Sequence, residues 1–349
     1  MKIVHSPSHR AHADRPEFLG GKAVPSYETP ARVEAILAAL EAAGYPAPLP
    51  PQRYDLAPLQ AIHAVDYLDF LATLWPAWQT AYPDSPAALP YCFPSGPGGG
   101  TRPNDIEARL GYYAFDLSAA VTAGTWSAAR AAANCALTAA DLLLQGEPAA
   151  LALCRPPGHH AGPAQMGGYC YLNNAAIAAQ HLLAGGTTRV AILDVDYHHG
   201  NGTQAIFYER SDVLFVSIHA DPAEAYPHFW GYAGEIGRGA GRGLTLNLPL
   251  PLGTGWAAYE SVLAQGLAAV ADFDPDYLLV SLGLDTHEAD PIARFRLKTP
   301  DYGRLGAQVG QVARPTLFVL EGGYAVERLG PALVNTLRGF EGGDVPERW

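Results

Sequence analysis

Val190-Ala191-Ile192-Leu193-Asp194-Val195-Asp196-Tyr197-His198-His199-Gly200-Asn201-Gly202 passes from an apolar run directly into a cluster of carboxylates and imidazoles. A short, uninterrupted apolar run of this kind reads as a strand buried on both faces, as in parallel sheets. The reactive groups then stand at a strand's C-terminal end, where α/β proteins assemble their sites. In Asp196-x-His198 on extended backbone the two side chains point to one face. A carboxylate oxygen and an imidazole nitrogen can therefore meet a single divalent cation.

Working outward, the same alternation fills the chain. Apolar runs near 150–154, 189–194, 213–218, 277–283 and 316–320 read as strands, and Ala/Leu-rich stretches over 30–43, 126–145, 174–184, 256–272 and 301–312 read as helices. No linker interrupts them. The pattern predicts one α/β domain over 1–349, with a mainly parallel β-sheet sandwiched by helices and the active site at the strand C-terminal ends. The exception is 82–103, too rich in Pro and Gly for helix or central strand. Tyr82, Tyr91 and Phe93 give it apolar area to bury, so an ordered loop insertion is expected there.

Composition excludes several function classes. The 349 residues are 49% hydrophobic, enough for a sizeable core, and 22 basic against 34 acidic residues leave a net charge of −12. Such a charge disfavours nucleic acid and anionic membranes and attracts small cations or basic peptides. The opening Met1-Lys2-Ile3-Val4-His5-Ser6-Pro7 does not read as a signal peptide. Cys92, Cys135, Cys154 and Cys170 form no C-x-x-C pair and read as reduced thiols. A cytoplasmic location is expected, and zinc held by thiolates is not.

Three other strand ends carry reactive groups. The run at 150–154 leads into Arg155-Pro156-Pro157-Gly158-His159-His160, where the prolines stop the strand and an irregular loop can aim both imidazoles inward. The run at 277–283 leads to Asp285, which would complete an Asp/His/Asp set with Asp196 and His198. The run at 316–320 leads to Glu321-Gly322-Gly323-Tyr324, placing a phenol over the cleft. Three protein ligands with an open position describe a catalytic metal site. With a histidine to move protons and a tyrosine to donate to an oxyanion, metal-assisted hydrolysis of an amide follows.

Together, R-P-P-G-H-H-A, G-G-Y-C-Y-L-N-N, D-V-D-Y-H-H-G-N-G-T, L-D-T-H-E-A-D-P and E-G-G-Y, in this order between about Arg32 and Gly339, resemble the zinc-dependent arginase/deacetylase superfamily. Within it the chain is most similar to bacterial acetylpolyamine amidohydrolases. The resemblance implies zinc on Asp196, His198 and Asp285, with ferrous iron the other ion such a site admits. It implies Tyr324 as the carbonyl-polarising phenol, His160 as general base and then acid, and His159 as a second imidazole paired with Asp194. Asn201 falls behind His160, where many members have an aspartate. Tyr169 and Tyr226 match the aromatic walls of a substrate tunnel, with Gly168 leaving room beside them. Main-chain oxygens around Asp194, Asp196, His198 and Ile218, with Ser217, match a structural potassium site. Arg32 matches an arginine near an internal product channel, although a lone helical arginine is more often on the surface.

His287, two residues after Asp285, is left out of the ligand set because alternation puts it at the site's far edge. The histidine-rich segment His5 to His12 reads as loop surface. Glu107 and Asp116, with Asp105, are candidates for a distal ammonium. The leading expectation is an amidohydrolase that releases acetate and free amine from small, cationic N-acetylated polyamines, as a homodimer whose 82–103 loop walls the tunnel mouth. The alternative is a protein or peptide acetyl-lysine deacetylase, which needs the same centre. Arginase-type hydrolysis would need a two-manganese cluster with more bridging carboxylates. A non-catalytic acetyl-ligand sensor would be expected to lack a ligand or the tyrosine.

Overall fold

The computed structural model describes residues 1–12, 16–94 and 100–345. All five apolar runs form strands within one sheet. In chain order the strands are β1 (Lys2–Val4), β2 (Pro16–Leu19), β3 (Lys22–Pro25), β4 (Ala149–Ala152), β5 (Val190–Asp194), β6 (Val213–Ala220), β7 (Thr245–Leu250), β8 (Tyr277–Leu282) and β9 (Thr316–Leu320). Seven of them make the sheet, in the order β1-β4-β9-β8-β5-β6-β7, and every neighbouring pair is parallel. β2 and β3 form a separate antiparallel hairpin. The expected single α/β domain with its parallel sheet is what the chain adopts.

The helices are α1 (Ala31–Ala42), α2 (Ala57–Gln60), α3 (Val65–Ala81), α4 (Ile106–Tyr112), α5 (Thr125–Leu144), α6 (Asn174–Ala184), α7 (Asn201–Phe207), α8 (Trp256–Phe273), α9 (Thr299–Gly310) and α10 (Val326–Phe340). The five read from the sequence begin and end within two residues of the expected positions. α3 and α10 went unread because Pro76 and Pro331 lie inside them, where proline ordinarily signals a break. β1 and β7 were missed because they are the sheet's edges, one short and one holding Pro249.

Alternation along each strand divides the core in two. Leu317 and Val319 pack with α3, α5 and α6, while Phe318 and Leu320 pack with α1, α8, α9 and α10. Because both faces are covered, β4, β5, β6 and β9 are buried throughout. After β5 the chain crosses to β6 on one side, and after β8, the other neighbour of β5, it crosses to β9 on the opposite side. The C-terminal ends of β5 and β8 thus flank a topological switch point, where the two connections leave a crevice.

One expectation is corrected. The histidine-rich segment is no surface loop: residues Pro7–Ala11 form a 3₁₀ turn, and His9 and His12 are buried against the domain. Arg155 explains why, since its guanidinium donates to the carbonyls of His9 and His12 and pulls the segment inward. The loop insertion at 82–103 falls partly outside the described residues, which omit 95–99. Its described part is tied down by a backbone bridge between Ala88 and Val121.

Candidate active site

Asp196 and His198 leave the end of β5 and Asp285 the end of β8, so the switch point brings the three together. Their ligating atoms all lie within 4.8 Å of one another, and all three side chains are buried. His198 Nδ1 is 3.0 Å from Asp285 Oδ2 and 3.4 Å from Asp196 Oδ1. Backbone donors hold the carboxylates: Gly322 N–H donates to Asp196 Oδ2 and Tyr197 N–H to Asp285 Oδ1, at 2.9 and 2.8 Å. Burial, then repulsion by Asp196, pushes the Asp285 carboxyl up to about 8. Burial would raise Asp196 as well, but the His159 and His198 imidazoles outweigh it and hold this carboxyl below its usual range. Two hard carboxylates and one imidazole, crowded and cut off from water, fit a divalent cation.

His159 and His160 follow β4 with ring centroids 4.0 Å apart. Their loop is held by Glu321, whose Oε2 accepts from the N–H groups of Gly158 and His159 at 2.7 and 3.1 Å. The two imidazoles have opposite environments. His159 Nδ1 is 3.0 Å from Asp194 Oδ2. Burial alone would lower its pKa, but the Asp196 and Asp194 carboxylates reverse this and hold it at about 10. His160 is pushed well below its usual value by burial and by the neighbouring His159 and His198. His160 Nδ1 meets Asn201 Oδ1 at 2.7 Å. With that oxygen accepting, Nδ1 carries the hydrogen and Nε2 is left with a free lone pair.

Tyr324, just after β9, is fixed by its own N–H donating to Asp290 Oδ2 at 2.8 Å. Burial raises its phenol well above the ordinary value, so it stays protonated. Arg32 is not the surface residue that a lone helical arginine suggests. It is fully buried, donates to the carbonyls of Glu321 and Gly323 and to Glu28, and places its guanidinium 4.9 Å from the Tyr324 ring centroid. It therefore braces the Glu-Gly-Gly-Tyr segment.

These groups open onto a cavity of about 160 Å³ that His160, Gly168, Tyr169, His198, Tyr226 and Tyr324 line together. Leu19, Ser118, Ile292 and Glu17 complete the lining. Gly168 has φ +52°, and a Cβ there would stand 2.3 Å from the His160 ring, so glycine alone fits. A larger hollow of about 740 Å³ lies around Met1, Pro148, Pro315 and Phe340, at the opposite end of the strands and away from the reactive cluster.

Other sequence-derived candidates fall elsewhere. Asp116 does not line the cavity; its Oδ2 accepts from Tyr226 Oη and Gly168 N–H. Glu107 also lies off the cavity. Asp105 caps α4 by accepting from the N–H groups of Glu107 and Ala108. None of the described residues of 82–103 lines the cavity. Ser217 Oγ sits 2.8 Å from His219 Nδ1 and 3.2 Å from His199 Nδ1, next to the buried Ile218 in β6. His287 is turned to Thr299 Oγ1 at 3.1 Å, outside the ligand set.

The carboxylate that does line the cavity is Glu17, which sequence reasoning missed. It is 3% exposed in β2, and its Oε1 accepts from the Tyr169 phenol. The available signal was Gly20-Gly21 after Phe18-Leu19, a hairpin turn between two short strands.

The histone deacetylase domain family matches residues 26–340. An acetylpolyamine amidohydrolase of Pseudomonas aeruginosa is 47% identical over 342 residues, covering 98% of this chain and 99% of that protein. One from Mycoplana ramosa is 46% identical over 343 residues, covering 98% and 100%. The crystal structure of an acetylpolyamine aminohydrolase from Burkholderia pseudomallei superimposes with a TM-score of 0.93 at 40% identity, covering 97% of this chain and 98% of that one.

Proposed function

The chain belongs to the histone deacetylase domain family, and from that premise we propose that this deacetylase removes acetyl groups from N-acetylated polyamines, releasing acetate and the free amine. The observation that carries the substrate class is the cavity itself. It is narrow, walled by Tyr169 and Tyr226, has Glu17 in its lining, and ends on the Asp196, His198 and Asp285 cluster. Aromatic walls suit a methylene chain, and a carboxylate suits the ammonium of a diamine. Glu17, whose oxygens also accept from the Tyr169 phenol and the Tyr27 N–H, lines the cavity and would meet that ammonium, the part expected of Glu107 and Asp116.

A zinc ion on Asp196, His198 and Asp285 would supply polarisation of the carbonyl oxygen and a water acidified to a pKa of about 7. Ferrous iron suits the same donors. The remaining chemistry belongs to the chain. His160, neutral and with Nε2 free, takes a proton from the attacking water and returns it to the leaving nitrogen. Tyr324 donates to the carbonyl oxygen as that atom gains negative charge. His159, held charged by Asp194 and Asp196, adds positive potential beside His160. Potassium on the main-chain oxygens of Asp194, Asp196, His198 and Ile218, with Ser217, would stiffen the β5 exit. The described helices include none long and apolar enough to cross a membrane. A cytoplasmic homodimer completes the reading.

The test removes all metal and titrates zinc back while measuring hydrolysis of acetylputrescine, acetylcadaverine, acetylspermidine and an acetyl-lysine peptide. Activity should return with one zinc per chain, and the free acetylamines should be the better substrates. A requirement for two ions would overturn the single-ion centre. Equal efficiency on the peptide would overturn the polyamine assignment.

A further inference from the structure

We propose that Asp116 is a positioning residue that sets the bore of the acyl cavity by tying its two walls to each other. The inference rests on the reading of this cavity as the site for an acetylated amine. Asp116 stands between α4 and α5 and contributes nothing to the lining. Its Oδ2 accepts from Gly168 N–H at 2.9 Å and from Tyr226 Oη at 2.7 Å, while Oδ1 accepts from Ser118 N–H at 2.9 Å. Gly168 belongs to one wall and Tyr226 to the other, and Ser118 also lines the cavity. One carboxylate thus fixes all three, with ionic hydrogen bonds in a water-poor place where such bonds are strong.

The wall at Gly168 needs holding. Gly167 and Cys170 exchange backbone hydrogen bonds around a two-residue turn, and both central residues have positive φ, +52° at Gly168 and +66° at Tyr169. A tyrosine in the left-handed region is strained and persists only where its surroundings over-determine it. Here each central residue is fastened by a carboxylate: Gly168 through its N–H to Asp116, and Tyr169 through its phenol to Glu17. Across the cavity the Tyr226 ring stands edge-on to His160 and to His198, with centroids 5.1 and 5.9 Å away. Clearance is small. A Cβ on Gly168 would lie 2.8 Å from Tyr226 Oη, so the two walls leave no space for even a methyl group where Asp116 joins them. On this reading a straight methylene chain passes the junction more easily than one branched next to the amide nitrogen.

The test compares Tyr226→Phe, Asp116→Ala and the double variant with the wild type in the zinc-loaded protein. Two readouts are taken: kcat and KM on N-acetylputrescine and on its analogue methylated at the carbon bearing the acetamide, and backbone amide exchange across 166–171. The linear-to-branched ratio of kcat/KM should fall about fivefold or more in each single variant, the size of one lost hydrogen bond, with KM for the linear substrate moving more than kcat. The double variant should fall about as far as either single one, because one junction is broken in all three. Exchange across 166–171 should quicken about tenfold or more in Asp116→Ala, with the amides of α10 unaltered. An unchanged ratio in folded Tyr226→Phe, or unchanged exchange in folded Asp116→Ala, overturns the assignment. If Asp116→Ala does not fold, Tyr226→Phe decides alone by the same ratio. If the wild type hydrolyses neither substrate, the proposed function fails, and amide exchange still judges the role of Asp116.

Discussion

The Tyr324 phenol, kept protonated by burial, lines the same cavity as His198 and so has a proton to donate to an oxygen there. Replacing it with Phe should lower kcat on an acetylamine about 100-fold or more while zinc still binds, the scale of losing an oxyanion donor. Near-normal kcat would remove Tyr324 from the chemistry. The unequal surroundings of the paired imidazoles set a second expectation. His160 has the free nitrogen and the lowered proton affinity, whereas His159 is locked to Asp194. His160→Ala should therefore depress kcat more than His159→Ala on the same substrate, and the opposite ranking would exchange their roles. These residues were legible because each sits within a few positions of a strand end. The partners of the tunnel walls were not, for Glu17 meets Tyr169 and Asp116 meets Tyr226 across separations of 152 and 110 residues. A carboxylate in a sequence carries no mark of what it will face.

Elements are held by contacts that the apolar pattern alone does not show. α9 and α10 approach so closely that a Cβ on Gly306 would lie 1.9 Å from the Thr336 carbonyl oxygen, which is backbone and cannot turn aside. Gly306→Ala should force the helices apart and cost about 1–3 kcal/mol, read as a lower urea midpoint. An unaltered midpoint would show that the pair can slide. At the opposite end of the sheet, ahead of β8, Asp276 Oδ2 accepts from Thr188 N–H, Thr188 Oγ1 and Arg189 N–H, tying the entrance of β8 to that of β5. The N–H donors of Thr188 and Arg189 hold this carboxyl below its usual range. A carboxyl depressed in the folded state stabilises it above the unfolded pKa of about 4 and stops doing so as pH falls through the folded value. Asp276→Asn should therefore be less stable than the wild type at neutral pH, with the gap closing below about pH 4. A gap independent of pH would contradict the account. Strands and helices were readable wherever burial required unbroken apolar runs. Edge strands and proline-bearing helices escaped, because there the local signal runs against the tertiary packing.

Over the whole molecule, a net charge of −12 surrounds a cavity with Glu17 in its lining. Raising the salt from about 20 to 500 mM should lower kcat/KM for an acetylated diamine severalfold and leave a neutral acetylated alkylamine almost unaffected. Equal responses would rule out steering by charge. The strand order has a consequence of another kind. β9 lies between β4 and β8, so it alone joins β1-β4 to β8-β5-β6-β7. During translation β9 leaves the ribosome after every other strand of the sheet, and until then the growing chain has two half-sheets with no common edge. Asp196, His198 and Asp285 belong to one half, His159 and His160 to the other, and Tyr324 arrives only after the join. A nascent or truncated chain that stops short of residue 316 can thus contain Asp196, His198, Asp285 and both histidines and still lack Tyr324 and the strand that joins their halves. The site can therefore be completed only once β9 has joined the two halves and Tyr324 has followed it.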